Sequence, residues 1–222
     1  MWMAIISKEL RECGLYAGLA LLVMAHFLGS LMDFPLIPLL SSGRGQLIPF
    51  ILDSNSNHET TFAIIAIAAA IVLGLHQSIW ESWRQTSLFL LHRPMPLMQI
   101  FLAKLSAGIG MLLFISAIPL LVYCLWAAIP GTHASPFYWG MTEPWWRSVA
   151  VAVISYLGAF LSGLRPAHWL GSRIWPALAA ICIAIGLKFI PIWGSIVYIG
   201  FASMTVFLVF LILKTAQIRE FP

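Results

Sequence analysis

Charged side chains are scarce in this chain, at 9% of its 222 residues, whereas 61% of the residues are hydrophobic. A soluble domain has roughly a quarter of its residues charged, so these few charges cannot shield such an apolar chain from water. The mean hydropathy of +0.93 agrees. Basic residues lie singly or in twos at the ends of apolar segments. The composition therefore predicts an integral membrane protein that binds no nucleic acid.

The sequence also lacks the motifs of several enzyme classes. Cys13, Cys124 and Cys182 have neither metal-binding nor redox spacing. A G-x-x-x-x-G-K-[ST] phosphate loop is missing. The nearest match to an intramembrane serine site, Leu161–Gly163, is followed by His168 in a predicted cytoplasmic loop. We predict a protein that is not an enzyme, with no catalytic residue, no metal and no cofactor of its own.

Acidic residues are missing from the middle of every predicted span, which argues against a proton-coupled or sodium-coupled transporter. His26 and His76 do lie within spans. An ionisable group at that depth is a candidate intramembrane polar site. The alternative for each histidine is a structural hydrogen bond across a helix pair.

Six apolar segments are candidate spans of a layer of about 30 Å, which takes about 20 apolar residues to cross. The fifth is short and precedes Pro191, so that the last two could instead form a half-span or a re-entrant pair. The segments are 14–32, 62–80, 99–123, 147–164, 176–190 and 194–213.

Residues 1–13 form a predicted interfacial helix that precedes the first span. Trp2, Ile6, Leu10 and Cys13 recur at helical spacing, and charged residues fill the other faces. The alternative is a solvated tail.

The distribution of lysine and arginine orients the chain. With the N-terminus inside, nine of the 12 basic residues are cytoplasmic, which predicts cytoplasmic N- and C-termini. Residues 33–61 then form the largest outer loop, with short proline-broken apolar stretches followed by a polar one. We expect one transmembrane domain over 1–222, because no internal repeat is present.

Three pairs of small residues have the spacing that allows close helix packing within one chain or between two. They are Gly14 with Gly18, Ser106 with Gly110, and Gly158 with Ser162.

The cytoplasmic segment 81–98 carries charges between two apolar spans. Glu81 and Arg84 are close enough to pair on a helix. The prolines in HRPMP force a break. Lys104 follows near the interface, where it can reach the headgroups as an anchor. An ordinary positively charged loop is the alternative interpretation.

In this region the chain resembles the ABC-2-type permeases, the membrane subunits of ATP-binding-cassette exporters. Those proteins commonly show, in this order, a Glu, an Arg, a Thr, a run of leucines, a Pro, and a Lys ten residues beyond that Pro. Gln85 replaces the glycine usual before the threonine, and Met-Pro replaces the pair usual after the proline. The matching residues are Glu81, Arg84, Thr86, Leu88, Leu90, Leu91, Pro94 and Lys104.

The resemblance implies an ABC-2 exporter-like bundle in the bacterial inner membrane. A separate cytoplasmic ATPase subunit would bind ATP and Mg, and a second permease chain, identical or related, would complete the transporter among membrane lipids. A membrane scaffold that recruits a cytoplasmic partner without transport is the alternative. The implied ATPase-coupling residues are Glu81, Trp83, Arg84, Leu88, Phe89, Leu91, Arg93 and Pro94.

Overall fold

The computed structural model of this chain is all helical in the residues that it describes. These are 2–32, 58–84, 96–129, 137–165, 172–190 and 194–218, with side chains throughout except at 80–84, 97, 194 and 218.

Six α-helices and one short 3-10 helix, Trp139–Thr142, occur in these ranges. Prolines mark the start of three helices, where a missing amide donor costs nothing: Pro96 is the N-cap of α3, and Pro144 and Pro176 lie in the first turns of α4 and α5. The bounds are α1 Trp2–Leu31, α2 His58–Arg84, α3 Leu97–Ala127, α4 Glu143–Leu164, α5 Trp175–Lys188 and α6 Gly194–Ile218.

Five of the helices in these ranges are long and apolar enough to cross a membrane, which confirms an all-α membrane protein. The predicted fifth span is the exception, because α5 has only 14 residues. At 1.5 Å per residue it is about 21 Å long, short of a layer of about 30 Å. The six predicted spans are thus corrected to five helices of membrane length and a shorter apolar one.

Helix α1 runs without a break through both the predicted interfacial helix and the predicted first span. The exposed residues of its first turns include Trp2 and Leu10, whereas Ile5, Glu9 and Cys13 are buried. Glu9, one of the residues expected on the polar faces, is therefore buried in the bundle beside Cys13 of the predicted apolar stripe. An apolar outer face costs nothing where the solvent is lipid, so no turn is needed to hide it.

The core is built around α4, which packs most extensively against α2 and α5 and also contacts α3 and α6. In its membrane-length segment 83% of the residues are buried, against 11% for α1. Glycine permits this contact: a Cβ atom at Gly74 of α2 would lie 2.6 Å from the Tyr156 carbonyl of α4. Helix α1 packs mainly on α3, at the side of the bundle.

Candidate functional site

A group of polar side chains lies inside the bundle about two helical turns from the end at which α1 begins, which we call the N-terminal end. Glu9 of α1, Gln77 of α2, Lys104 of α3 and Tyr156 of α4 are each no more than 3% exposed. We call these four residues the polar layer. Each comes from a different helix, so the layer joins α1, α2, α3 and α4.

An ion pair and hydrogen bonds connect the four residues of the polar layer. Lys104 Nζ lies 3.9 Å from Glu9 Oε1. The Gln77 amide donates to Glu9 Oε2 at 2.9 Å and to the Lys104 carbonyl at 3.3 Å. Tyr156 donates its hydroxyl hydrogen to Gln77 Oε1 at 2.6 Å. The two opposite charges and these bonds offset the cost of burying ionised groups away from water.

The polar layer also divides the apolar interior at the N-terminal end. Ile5, Ile100 and Ala103 form a small cluster separate from the main hydrophobic core. Their contact is between α1 and α3 alone. The first turns of α1 are therefore attached to the bundle through this cluster and the polar layer.

One turn further along α1, Cys13 Sγ lies 3.6 Å from His76 Nδ1. The His76 ring also lies 4.5 Å from the Tyr16 ring, measured between centroids. His76 thus joins α1 and α2 beside the polar layer. His26 is partly buried toward the other end of α1, and its buried Nδ1 has no hydrogen-bond partner among the described residues.

A second charged cluster lies at the opposite end of the bundle and is partly exposed. Glu59, at the start of α2, pairs with Lys188, the last residue of α5, and accepts a hydrogen bond of 2.7 Å from the Ser148 hydroxyl. Nearby, Arg147 pairs with Glu143 at 2.7 Å. These groups reach the edge of the bundle, as helix-terminal charges in a membrane protein do.

Two arginines satisfy backbone carbonyls at the ends of α4 and α5. Arg147, in the first turns of α4, donates to the carbonyls of Lys188 and Ile190 at the end of α5. Arg173, just before α5, donates to the carbonyls of Ser162 and Gly163 at the end of α4. The last carbonyls of a helix lack intrahelical donors and carry partial negative charge. Each helix of this antiparallel pair is thus closed by an arginine from the other.

An apolar groove of about 660 Å³ runs between α1 and α3 and is open along one side. A Cβ atom built on Gly14, Gly18 or Gly110 would meet nothing within 4 Å. In contrast, a Cβ atom at Gly158 would lie 2.6 Å from the Ala180 methyl of α5. One predicted small-residue pair is therefore used inside the chain, and the other two border open space.

All eight predicted ATPase-coupling residues lie outside the described side chains. Glu81, Trp83 and Arg84 belong to the last turn of α2, which the structure gives as backbone. Leu88, Phe89, Leu91, Arg93 and Pro94 fall outside the described residues, as does most of the predicted outer loop, whose last residues from His58 belong to α2.

Lys104 is the predicted coupling-region residue whose side chain the structure describes. It is buried against Glu9 within the bundle, and its ammonium group lies 5.9 Å from the centre of the Phe101 ring. Its role as a headgroup anchor stays a prediction.

Sequence reasoning missed Glu9, Gln77 and Tyr156. A signal for Glu9 was present: Ile5, Glu9 and Cys13 are spaced by four, so one helix face carries an acid between two apolar residues. Glu9 was instead grouped with the charged residues that surround the apolar stripe of an interfacial helix. Nothing in the local sequence distinguished Gln77 or Tyr156 from other polar residues in spans.

The fold and the polar layer define an all-helical membrane protein with a buried charged cluster near one end. No family model, curated protein or solved structure matches the chain.

Proposed function

We propose that this chain is a permease subunit of an ATP-binding-cassette exporter, driven by a separate ATPase that docks on segment 81–98. The observation that carries the proposal is the motif from Glu81 to Lys104. Its first residues fall in the last turn of α2 and its final lysine in the second turn of α3. The motif thus connects two helices of membrane length.

The buried position of Lys104 supports a role for this connection in the movement of helices. Lys104 contacts α1 through Glu9, and its carbonyl accepts from Gln77 of α2. A displacement of the start of α3 would therefore reach α1 and α2 directly. The proposal also includes a second permease chain, because the resemblance implies a paired architecture, and a bacterial inner membrane with both termini in the cytoplasm.

A second candidate function is a membrane scaffold that recruits a cytoplasmic partner without transport. One observation favours it: in the described part of the chain, the main apolar core is contiguous, and the charged side chains within the bundle gather near its two ends. A substrate path through a single chain would need polar or hydrated surface along the bundle.

Affinity purification of the tagged chain from its native membranes, with mass spectrometry, tests both functions. One variant carries Glu81→Ala, Arg84→Ala and Arg93→Ala. The matched control carries Glu12→Ala, Arg11→Ala and Lys214→Ala, which likewise removes one acidic and two basic groups.

We expect an ATPase subunit to accompany the native chain and the control but not the segment variant. A cytoplasmic protein without ATPase activity could instead accompany the native chain and the control but not the segment variant. That result would establish the scaffold. An ATPase retained equally by all three proteins would contradict docking on segment 81–98.

A further inference from the structure

The attachment of α1 at the N-terminal end comes from three buried residues in its first turns, Ile5, Glu9 and Cys13. Helix α1 packs on α3 and to a lesser extent on α2. Only 11% of the residues in its membrane-length segment are buried, the smallest share among the five such helices described. A helix with so little buried surface separates from its neighbours more readily than one held on all sides.

At this end the first turns of α1 meet α3 through a small apolar cluster and the polar layer. On one side, toward the helix starts, lies the small cluster of Ile5, Ile100 and Ala103. On the lateral side lies the open groove, which Gly14 of α1 and Gly110 of α3 line. Between these two regions, Glu9 and Lys104 are the charged groups that join the helices.

The physics of a buried ion pair makes this tie two-state. With the helices together, each charge compensates the other in a medium of low dielectric constant. With the helices well apart, water can solvate both groups. An intermediate separation would leave two poorly solvated charges without close compensation, and its energy is high. Apolar contacts carry no such charge penalty at an intermediate separation.

We propose that the polar layer is a latch that holds the N-terminal end of α1 against α3 and that opens by hydration of Glu9 and Lys104. Gln77 and Tyr156 fix the orientation of the Glu9 carboxylate in the closed state through their bonded chain. Opening would release α1 from α3 without unfolding the centre of the bundle at α4. The latch does not depend on whether an ATPase binds this chain.

The three native cysteines provide the reporters for a test. Cys13 is 1% exposed and lies one turn from Glu9, so its thiol becomes accessible when the latch opens. Cys124, in the last turn of α3, is fully buried in the main core. Cys182 of α5 is exposed and reports on access of the reagent.

The experiment measures the rate of alkylation by N-ethylmaleimide in lipid nanodiscs. Each protein retains one cysteine, with serine at the other two positions. The variants are Glu9→Gln, Lys104→Met and the apolar double variant Glu9→Leu with Lys104→Leu. Glu12→Gln is the matched control, because Glu12 pairs with Lys8 on the partly exposed side of the same helix.

For Glu9→Gln and Lys104→Met we expect Cys13 to react at least about tenfold faster, because each leaves one buried charge uncompensated. The double variant should react no faster than the native protein, since an apolar contact between α1 and α3 has no charge to hydrate. Glu12→Gln should stay within about twofold, as for exposed ion pairs. Cys124 should remain unreactive throughout.

Two results would overturn the latch. Unchanged Cys13 reactivity in both single variants would show that other contacts hold the N-terminal end of α1 against α3. A parallel rise of Cys13 and Cys124 reactivity would show that the pair stabilises the whole bundle and does not release α1 separately.

Discussion

Two helix pairs in this molecule use the same kind of small-residue pattern in opposite ways. Helices α4 and α5 are antiparallel, and Gly158 lies against Ala180 with arginine contacts at both ends of the pair. Helices α1 and α3 begin at the same end, and their small residues border an open groove. Both pairs pack extensively, but backbone approach at a glycine marks the first pair, and a buried ion pair marks the second.

The difference shows that small residues permit approach but do not cause it. In the first pair, the backbones meet because neighbouring groups, the two arginines among them, fix both helix ends. In the second pair the helices also pack on each other, but the groove leaves their small residues open on one side, and the buried ion pair lies near one end. The first pair is therefore fixed at both ends, whereas the second is fixed by charged groups at one end only.

The largest expected effect is the loss of one charge from the polar layer. Lys104→Met should lower the free energy of unfolding by about 3–5 kcal/mol, because Glu9 would stay buried without compensation. The double variant of Lys104→Met with Glu9→Met should recover most of the loss. Reversible unfolding in mixed micelles gives both values, and additive losses in the double variant would contradict coupling between the two residues.

Overpacking of the rigid pair should come next. Gly158→Leu should cost about 1–3 kcal/mol or more, because even its first side-chain atom would lie 2.6 Å from Ala180. Gly14→Leu is the matched control and should stay within about 0.5 kcal/mol, because its Cβ atom meets nothing within 4 Å. Equal losses of unfolding free energy for Gly158→Leu and Gly14→Leu would contradict the distinction between the two helix pairs.

Loss of an arginine contact should have a smaller effect. Arg173→Gln should cost about 1–2 kcal/mol, since two carbonyls at the end of α4 lose a cationic donor. Hydrogen exchange should rise at the end of α4 and the start of α5. Faster exchange in α1 instead would indicate that the two pairs are not independent.

The smallest expected effect concerns the edge of the polar layer. Tyr156→Phe removes the hydroxyl that donates to Gln77 and should cost about 1 kcal/mol. Ser203→Ala, on exposed α6, is the control that loses a hydroxyl bonded only to its own helix. Thermal unfolding would rank the two, and a larger loss from Ser203→Ala would contradict the importance of the layer.

Hydropathy predicted the membrane class and an apolar segment within each described α-helix, but not the 3-10 helix Trp139–Thr142 or the continuity of α1 through residues 1–13. That success has a simple cause, since each spanning helix must satisfy its own backbone and carry apolar side chains over its whole length. The short α5 was also signalled by Pro191, which follows it closely.

Side-chain pairing was beyond the reach of sequence reasoning. The contact between Glu9 and Lys104 joins residues far apart in the chain, and hydropathy does not specify which helix faces meet. The burial of Glu9 was missed for a related reason: its neighbours Lys8, Arg11 and Glu12 are also charged, and hydropathy does not tell which of these groups meets another helix. The spacing of Gly158 and Ser162 was visible, but its neighbour on α5 was not.

The short helix α5 has a consequence for the surrounding bilayer. Its length of about 21 Å falls below the hydrocarbon thickness, and tilting can only reduce the distance it spans. Leu178, Ile183 and Phe189 are exposed on it, so acyl chains contact this side of the bundle. A bilayer that matches α5 on this side is thinner than one that matches the five longer helices, and Lys188 and Glu59 place a charged pair at the far end of α5. The protein would therefore thin the bilayer on the side of α5 and would favour thinner membranes.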